Sequence, residues 1–149
     1  MSPSKHRVKS YTFVAIQFFC FGVILATGPW LAKTPVLFLV EMFGIFLGIW
    51  AIGTMKLRNL SALPEIKSNS PLQTGGPYRW IRHPMYTALL LVMLVLAVED
   101  FSYWRGVMWV GLFVDLFFKL QFEEELLVQS FPDYTEYQKR TKKLIPGVL

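Results

Sequence analysis

Long apolar runs alternate with shorter polar segments along this chain, a pattern typical of membrane proteins. The second run is about as long as the ~20 residues that a helix needs to cross a bilayer. We therefore predict an all-α fold, a polytopic membrane helical bundle with about four transmembrane helices in a single domain over residues 1–149. The four runs cover residues 11–27, 36–55, 84–98 and 103–122.

Proline, glycine and one short turn define how these runs should be arranged. Pro35 and Pro84 can begin the second and third helices, because proline lacks only an N–H that a helix start does not need. Residues 99–102 form so short a connection that the third and fourth helices should pack as an antiparallel hairpin. Gly44 and Gly48, one turn apart, should let another helix approach closely.

The polar segments suggest distinct roles. Residues 1–10 are short and basic, and we interpret them as a juxtamembrane tail. Residues 56–76 form a connection long enough to be functional, and we predict a lid or a loop that wraps a cofactor. Pro132 breaks the fourth helix, after which Asp133 can cap a short amphipathic C-terminal helix at residues 134–140.

The distribution of basic residues predicts the orientation. Four crossings put both termini on one side, and of the 15 Lys and Arg side chains all but Lys33 and Arg105 then fall on that side. Cytoplasmic segments of membrane proteins carry an excess of Lys and Arg. The sequence therefore predicts an integral membrane protein with both termini and the long loop in the cytoplasm.

Composition narrows the classes of function. Hydrophobic residues make up 54% of the chain, above the roughly 45–50% of ordinary soluble domains. The net charge of +5 indicates contact with membrane lipids that carry anionic headgroups, and we expect no nucleic-acid partner. Because zinc-ligand spacing, a P-loop and a G-x-G-x-x-G motif are all missing from the sequence, we predict no metal site and no Rossmann-type cofactor binding.

Charged residues inside the apolar runs are candidates for function. Glu41 lies near one end of its run, and we expect it to be hydrated at the membrane interface. Asp115, Lys119 and Glu123 follow one another at four-residue intervals and so share one helix face. Because placing charged side chains in lipid is energetically unfavourable, this face should point into the bundle or into a water-filled cavity.

Polar and aromatic side chains are concentrated at residues 75–86, in the segment Gly-Gly-Pro-Tyr-Arg-Trp-Ile-Arg-His-Pro-Met-Tyr. The predicted topology places this segment on the same side of the membrane as the acidic run at residues 123–125. Taken singly, these residues have structural explanations: Arg82 and Lys119 can extend to headgroups, and His83 can cap a helix. Their order and their common side favour a ligand site formed by both segments.

The series Gly-x-Pro-Tyr-x-x-x-Arg-His-Pro-x-Tyr, a hydrophobic hairpin, Glu-Glu, two spaced tyrosines and Ile-Pro resembles the isoprenylcysteine carboxyl methyltransferase family. Related membrane phospholipid N-methyltransferases share much of it. The resemblance covers residues 72–146, half of the chain. It implies an S-adenosylmethionine-dependent membrane enzyme whose cofactor binds at the cytosolic side of a helical bundle.

The resemblance also implies site residues. Lys119 stands where the prenylcysteine enzymes have an arginine that faces the substrate, so Arg82, His83 and Lys119 become candidate catalytic residues. Arg82 and Glu124 should be close neighbours. The implied cofactor-binding residues are Leu72, Gln73, Tyr78, His83, Pro84, Met85, Tyr86, Glu123 and Glu124.

The implied reaction is methyl transfer to a lipid-like or prenylated amphiphilic acceptor. Carboxylate O-methylation is favoured, with Lys119 or Arg82 as counter-charge. Phospholipid N-methylation is the alternative, and an amine acceptor would need His83 or a glutamate to keep it unprotonated. Lysine in place of arginine at position 119 loses a bidentate grip on a carboxylate, which argues against a prenylcysteine substrate. Further alternatives are an NADPH-dependent membrane reductase and a non-enzymatic membrane scaffold.

Overall fold

The computed structural model describes residues 3–55 and 72–147, with side chains described from residue 7 onward. Within this part of the chain the fold is all-helical, apart from one isolated bridge between Ile81 and Lys142. A single 3-10 turn, Gly76–Arg79, precedes the third helix. The α-helices are α1 (Pro3–Ala26), α2 (Pro35–Met55), α3 (Pro84–Glu99), α4 (Tyr103–Ser130) and α5 (Tyr134–Arg140).

The boundaries of α2 and α3 agree with the predicted runs, whereas α1 begins earlier than predicted and α4 continues past residue 122 to Ser130. The basic segment that we predict to be a juxtamembrane tail is helical from Pro3 onward and continuous with α1. Lysine and arginine are good helix formers, and no glycine or proline interrupts the segment after Pro3. Asp133 occupies the predicted N-cap position of α5, but its side chain makes no capping hydrogen bond. Most of the predicted lid, residues 56–71, lies outside the described residues.

Two described helices are long and apolar enough to cross a membrane, Arg7–Ala26 and Pro35–Met55. The apolar helix α3 has only 16 residues, or about 24 Å at 1.5 Å per residue. The helix α4 has 28 residues but buries Arg105, Asp115 and Lys119 along its length. The structure therefore supports a membrane protein, while four crossings remain a prediction.

The hairpin of α3 and α4 forms the centre of the bundle, with α2 packed mainly on α3 and α1 mainly on α4. The helices α1 and α4 run antiparallel, since Lys9 lies over the ring of Phe122 at one end and Ile24 contacts Arg105 at the other. Large apolar side chains on α1 and α2 remain exposed, as expected of surfaces that face lipid. The central hairpin is the part of the fold that carries the sequence motif.

Small residues let α2 and α3 approach closely, as predicted from Gly44 and Gly48. A Cβ atom at Gly44 would lie 2.9 Å from Val92 Cγ2, and one at Gly48 would lie 3.4 Å from the Cβ atom of Ala88. Ala88 itself is 5% exposed. The close contact therefore depends on glycine in α2 and on the small residue Ala88 in α3.

At the end of the bundle away from the motif, acidic side chains bind turns of the backbone. Glu41 is 1% exposed and accepts a hydrogen bond of 2.8 Å from the backbone N–H of Ala32. The expectation that Glu41 is hydrated is therefore wrong, because the turn after α1 folds over it and supplies a donor. Glu99 likewise accepts a bond of 3.1 Å from the N–H of Thr34 at the start of α2.

The close approach of α2 and α3 makes a testable prediction. Gly44→Leu should lower the melting temperature in detergent, because the added side chain must displace Val92 or separate the helices. Overpacking of this kind costs about 1–3 kcal/mol. Gly53→Leu is the matched control, since a Cβ atom there has no neighbour within 4 Å. Equal melting temperatures for the two variants would contradict the assigned packing.

Candidate active site

The C-terminal segment is bound alongside the motif and holds the start of α3 in place. The N–H of Arg82 donates to Lys142 O over 2.8 Å, and the N–H of His83 donates to Lys143 O over 3.0 Å. In return, the N–H of Lys142 donates to Trp80 O over 3.0 Å. Two segments sixty residues apart in sequence therefore form one short parallel pairing.

Arg82 lies at the centre of this junction. Its Nε atom is 2.6 Å from Glu124 Oε1, and the two side chains are only 7% and 8% exposed. Another guanidinium nitrogen donates to the backbone carbonyls of Gln138 and Thr141. Arg82 thus ties the start of α3 to the end of α4 and to the segment after α5.

Glu124 receives hydrogen bonds and positive charge from several directions. Gln138 Nε2 lies 3.3 Å and Lys143 Nζ lies 3.8 Å from Glu124 Oε2. Glu124 lies two residues beyond the predicted fourth span. Burial alone would raise the pKa of this carboxyl, but the nearby His83 side chain and the hydrogen-bonded Arg82 guanidinium outweigh burial and lower the pKa to about 2. Glu124 therefore remains a carboxylate at all physiological pH values.

His83 lies between the two glutamates. Its Nδ1 atom is 3.6 Å from Glu123 Oε2, and its Nε2 atom is 3.5 Å from Glu124 Oε1. The Nε2 atom is buried and has no hydrogen-bond partner at normal distance among the described residues. The His83 ring stacks on Tyr86 with a centroid distance of 5.4 Å, and the Tyr86 hydroxyl donates to Glu123 Oε1.

Lys119 lies next to this cluster and one turn before Glu123. It is 1% exposed, and its Nζ atom lies 5.3 Å from the centroid of the Tyr86 ring. The ammonium group donates to Gln17 Oε1 over 2.8 Å. Gln17 was not predicted as a site residue, although it is the only amide side chain within the first apolar run. The predicted inward direction of Lys119 and Asp115 is confirmed by their burial.

Three tyrosines lie next to the junction: Tyr78, Tyr134 and Tyr137. The Tyr137 hydroxyl donates to Tyr78 O over 2.6 Å, and the rings of Tyr134 and Tyr137 are 5.7 Å apart. Burial raises the pKa of the Tyr137 phenol to about 12, and it raises the pKa values of Tyr78 and Tyr134 further. All three therefore stay protonated and neutral at physiological pH.

The remaining predicted cofactor residues lie around the cluster. Pro84 is buried and Met85 half-buried at the first turn of α3, while Leu72 and Gln73 are half-buried before the 3-10 turn. Within the described chain, no hydrogen bond or ion pair joins Leu72 or Gln73 to the cluster. The structure thus brings together Arg82, His83, Tyr86, Lys119, Glu123 and Glu124.

Backbone N–H groups at the start of α3 donate to other parts of the protein backbone. The N–H groups of Tyr86 and Thr87 both donate to His83 O, and the Thr87 hydroxyl donates to Leu144 O. Side chains therefore provide most of the polar atoms that remain available to a ligand. Among the described residues, no group of three or more His, Cys, Asp and Glu side chains is arranged to hold a metal ion.

The fold and the cluster define a class: a helical membrane protein with a buried group of charged and aromatic side chains at one end of its central hairpin. Residues 34–134 match the family described as phospholipid methyltransferase, and the chain belongs to this family. The family includes the isoprenylcysteine carboxyl methyltransferases, so the resemblance seen in the sequence is confirmed. Membership implies a membrane methyltransferase.

One curated relative is similar along nearly the whole chain. It is the cobalt-zinc-cadmium resistance protein CzcN of Cupriavidus metallidurans, 28% identical over 153 residues. The match covers 96% of this chain and 65% of the relative. The chain therefore spans just under two thirds of that protein's length.

The buried ion pair makes a prediction about stability. Arg82→Leu should destabilise the protein by about 3–5 kcal/mol, because it leaves the Glu124 carboxylate buried without its main partner. The double variant Arg82→Leu/Glu124→Leu should recover part of this loss. Thermal melts in detergent measure both changes. The control is Lys139→Leu, which breaks the exposed pair with Glu136 and should cost no more than about 1 kcal/mol.

The lowered pKa of Glu124 makes a second prediction. A carboxyl whose pKa falls on folding stabilises the folded state above its unfolded pKa, near 4.5, and this stabilisation is lost as pH falls towards 2. Glu124→Gln should therefore melt well below the wild type at pH 7. The difference should shrink steadily between pH 4.5 and pH 2. A difference that does not change with pH would show that Glu124 is not held as a carboxylate.

Proposed function

We propose that this protein transfers a methyl group from S-adenosylmethionine to an amphiphilic acceptor at the cytosolic face of the membrane, most favourably to a carboxylate oxygen. One observation carries the proposal: His83, Tyr86, Glu123 and Glu124 converge at the start of α3, with Lys119 beside them. Family membership supplies the reaction type, and the cluster supplies groups suited to the cofactor and to an acidic acceptor.

The residues present fit S-adenosylmethionine. Glu123 has a side chain 19% exposed and so can accept hydrogen bonds from an ammonium group or from ribose hydroxyls. His83 Nε2 is a buried polar atom without a partner at normal distance among the described residues, and the Tyr86 ring can face a cation. When bound, the cofactor supplies a methyl group activated by a positively charged sulfur.

Arg82 acts as a positioning residue in this proposal. The sequence marked it as catalytic, but its guanidinium already binds Glu124, Gln138 O and Thr141 O. These bonds hold Arg82 in place, and they therefore also position the adjacent residue His83. Because correct placement of reacting groups can account for about 7–11 kcal/mol of a barrier in ideal cases, a rigid junction is itself useful to the reaction.

Lys119 is the residue we assign to the acceptor. It is buried, and its hydrogen-bond partner is the neutral amide of Gln17. A carboxylate acceptor would place a negatively charged hydrogen-bond acceptor directly beside the Lys119 ammonium, and it would need no general base. An amine acceptor would become positively charged beside Lys119 as its nitrogen accepts the methyl group, which is why we favour O-methylation over phospholipid N-methylation.

The binding proposal can be tested by titrating the purified protein with S-adenosylmethionine in a calorimeter. Glu123→Gln and Tyr86→Phe should each weaken binding about ten- to hundredfold, the cost of losing a charged hydrogen bond. Glu125→Gln is the matched control, because Glu125 is exposed on the same helix and should bind as the wild type does. No binding by the wild type in either detergent or lipid would overturn the proposal.

The reaction itself can be followed with a radiolabelled methyl group. Membranes containing the protein should transfer label from S-adenosylmethionine into a lipid-soluble product that is hydrolysed by mild base, as methyl esters are. Label stable to base would favour N-methylation. Consumption of NADPH without label transfer would instead favour the reductase alternative.

A further inference from the structure

Asp115 is a buried acidic residue that has no role in the proposed reaction. It lies in the middle of α4 and is 5% exposed. Neither carboxylate oxygen has a hydrogen-bond partner within the described part of the chain. Burying an unpaired carboxylate is costly, so such groups in folded proteins are usually met by a ligand, a water or a proton.

Lys119 is the obvious counter-charge, one turn further along the same face of α4. No ion pair joins these two side chains, and Lys119 instead donates to Gln17 Oε1 over 2.8 Å. Two oppositely charged side chains are thus buried one turn apart on α4, at positions about 6 Å apart along the helix axis, without forming an ion pair. A group that accepts from Lys119 and also donates to Asp115 would satisfy both.

The order of these groups along α4 determines the orientation in which an acceptor would bind. Lys119 lies beside the Tyr86 ring and one turn before Glu123, on the side of the proposed cofactor. Asp115 is one turn further from that side, towards Gly111, whose position faces Cys20 of α1. An acceptor bound with its carboxylate at Lys119 therefore presents to Asp115 the atoms between the carboxylate and the hydrophobic tail.

We propose that Asp115 is a second acceptor-binding residue, which accepts a hydrogen bond from an N–H group located between the acceptor's carboxylate and its tail. This rests on the proposed function and names the substrate class: N-acylated amino acids, in which an amide N–H lies two bonds from the carboxylate carbon. A simple fatty acid offers a carboxylate and a tail but no such donor, and it would leave Asp115 unpaired.

Two matched probes test this inference, N-palmitoylglycine and N-palmitoylsarcosine, which differ in that a methyl group replaces the amide hydrogen. Their affinities are measured by thermophoresis on the purified full chain in detergent. The wild type should bind N-palmitoylglycine about tenfold or more tightly than N-palmitoylsarcosine, because only the first can donate to Asp115. In Asp115→Leu the ratio should fall to near one.

Three controls keep the outcome unambiguous. Asp115→Asn, which preserves the side-chain shape, should give an intermediate ratio even if the leucine variant folds poorly. Glu125→Gln removes an exposed charge from the same helix and should leave the ratio unchanged. Titration of the same samples with S-adenosylmethionine tests the proposed function separately, since it does not depend on Asp115.

Equal affinity of the wild type for the two probes would overturn the inference, as would an unchanged ratio in Asp115→Leu. Failure of both probes to bind would overturn the substrate class as well. If S-adenosylmethionine still binds in either case, the inference about Asp115 fails while the proposed methyltransferase function stands.

Discussion

The buried pair of Arg82 and Glu124 is the interaction on which the candidate site depends. It joins the start of α3 to the end of α4, and through the Gln138 and Thr141 carbonyls it also fixes the chain after α5. Buried ion pairs rarely increase stability over apolar packing, but breaking one leaves an uncompensated charge. Such a pair therefore enforces one arrangement of the three segments, and the direction of His83 follows from it.

Polar side chains in the bundle differ in how many hydrogen-bond and ion-pair partners they have. The number depends on how far the side chain lies from the junction. Near the junction, Arg82 and Glu124 have several partners each, and Tyr137 is bonded to the backbone. Further along α4, Lys119 has one neutral partner and Asp115 has none among the described residues. A fully bonded network gives rigidity, whereas unsatisfied buried charges are suited to a ligand. The structure thus separates a fully bonded part at the junction from a part further along α4 whose buried charges have few partners among the described residues.

Much of this arrangement could be predicted from the sequence, since apolar runs and prolines define helices by local physics. The bounds of α2 and α3, the inward direction of Lys119 and the close approach at Gly44 and Gly48 all follow from periodicity or residue size. The resemblance to a known family also predicted the contact of Arg82 with Glu124, but other contacts that depend on tertiary folding were not predicted. Glu41 was expected in water but is covered by a turn, and Gln17 gave no signal beyond being polar in an apolar run.

The chemistry expected of this site agrees with its position in the bundle. Methyl transfer from a sulfonium to a carboxylate moves no proton, so the site needs placement and charge complementarity more than acid–base groups. The tyrosines at the junction are held neutral by burial, and Glu124 is held as a carboxylate by Arg82 and His83. None of them changes charge near neutral pH.

Two oppositely charged reactants attract each other more strongly when they are removed from water. A buried site at the end of an apolar hairpin removes the reactants from water, and the reaction then needs no side chain that takes up or releases a proton. In the proposed reaction, an acceptor with a hydrophobic tail would approach Lys119 from the bilayer with its carboxylate beside the cluster, whereas a soluble acceptor would gain little from such a site.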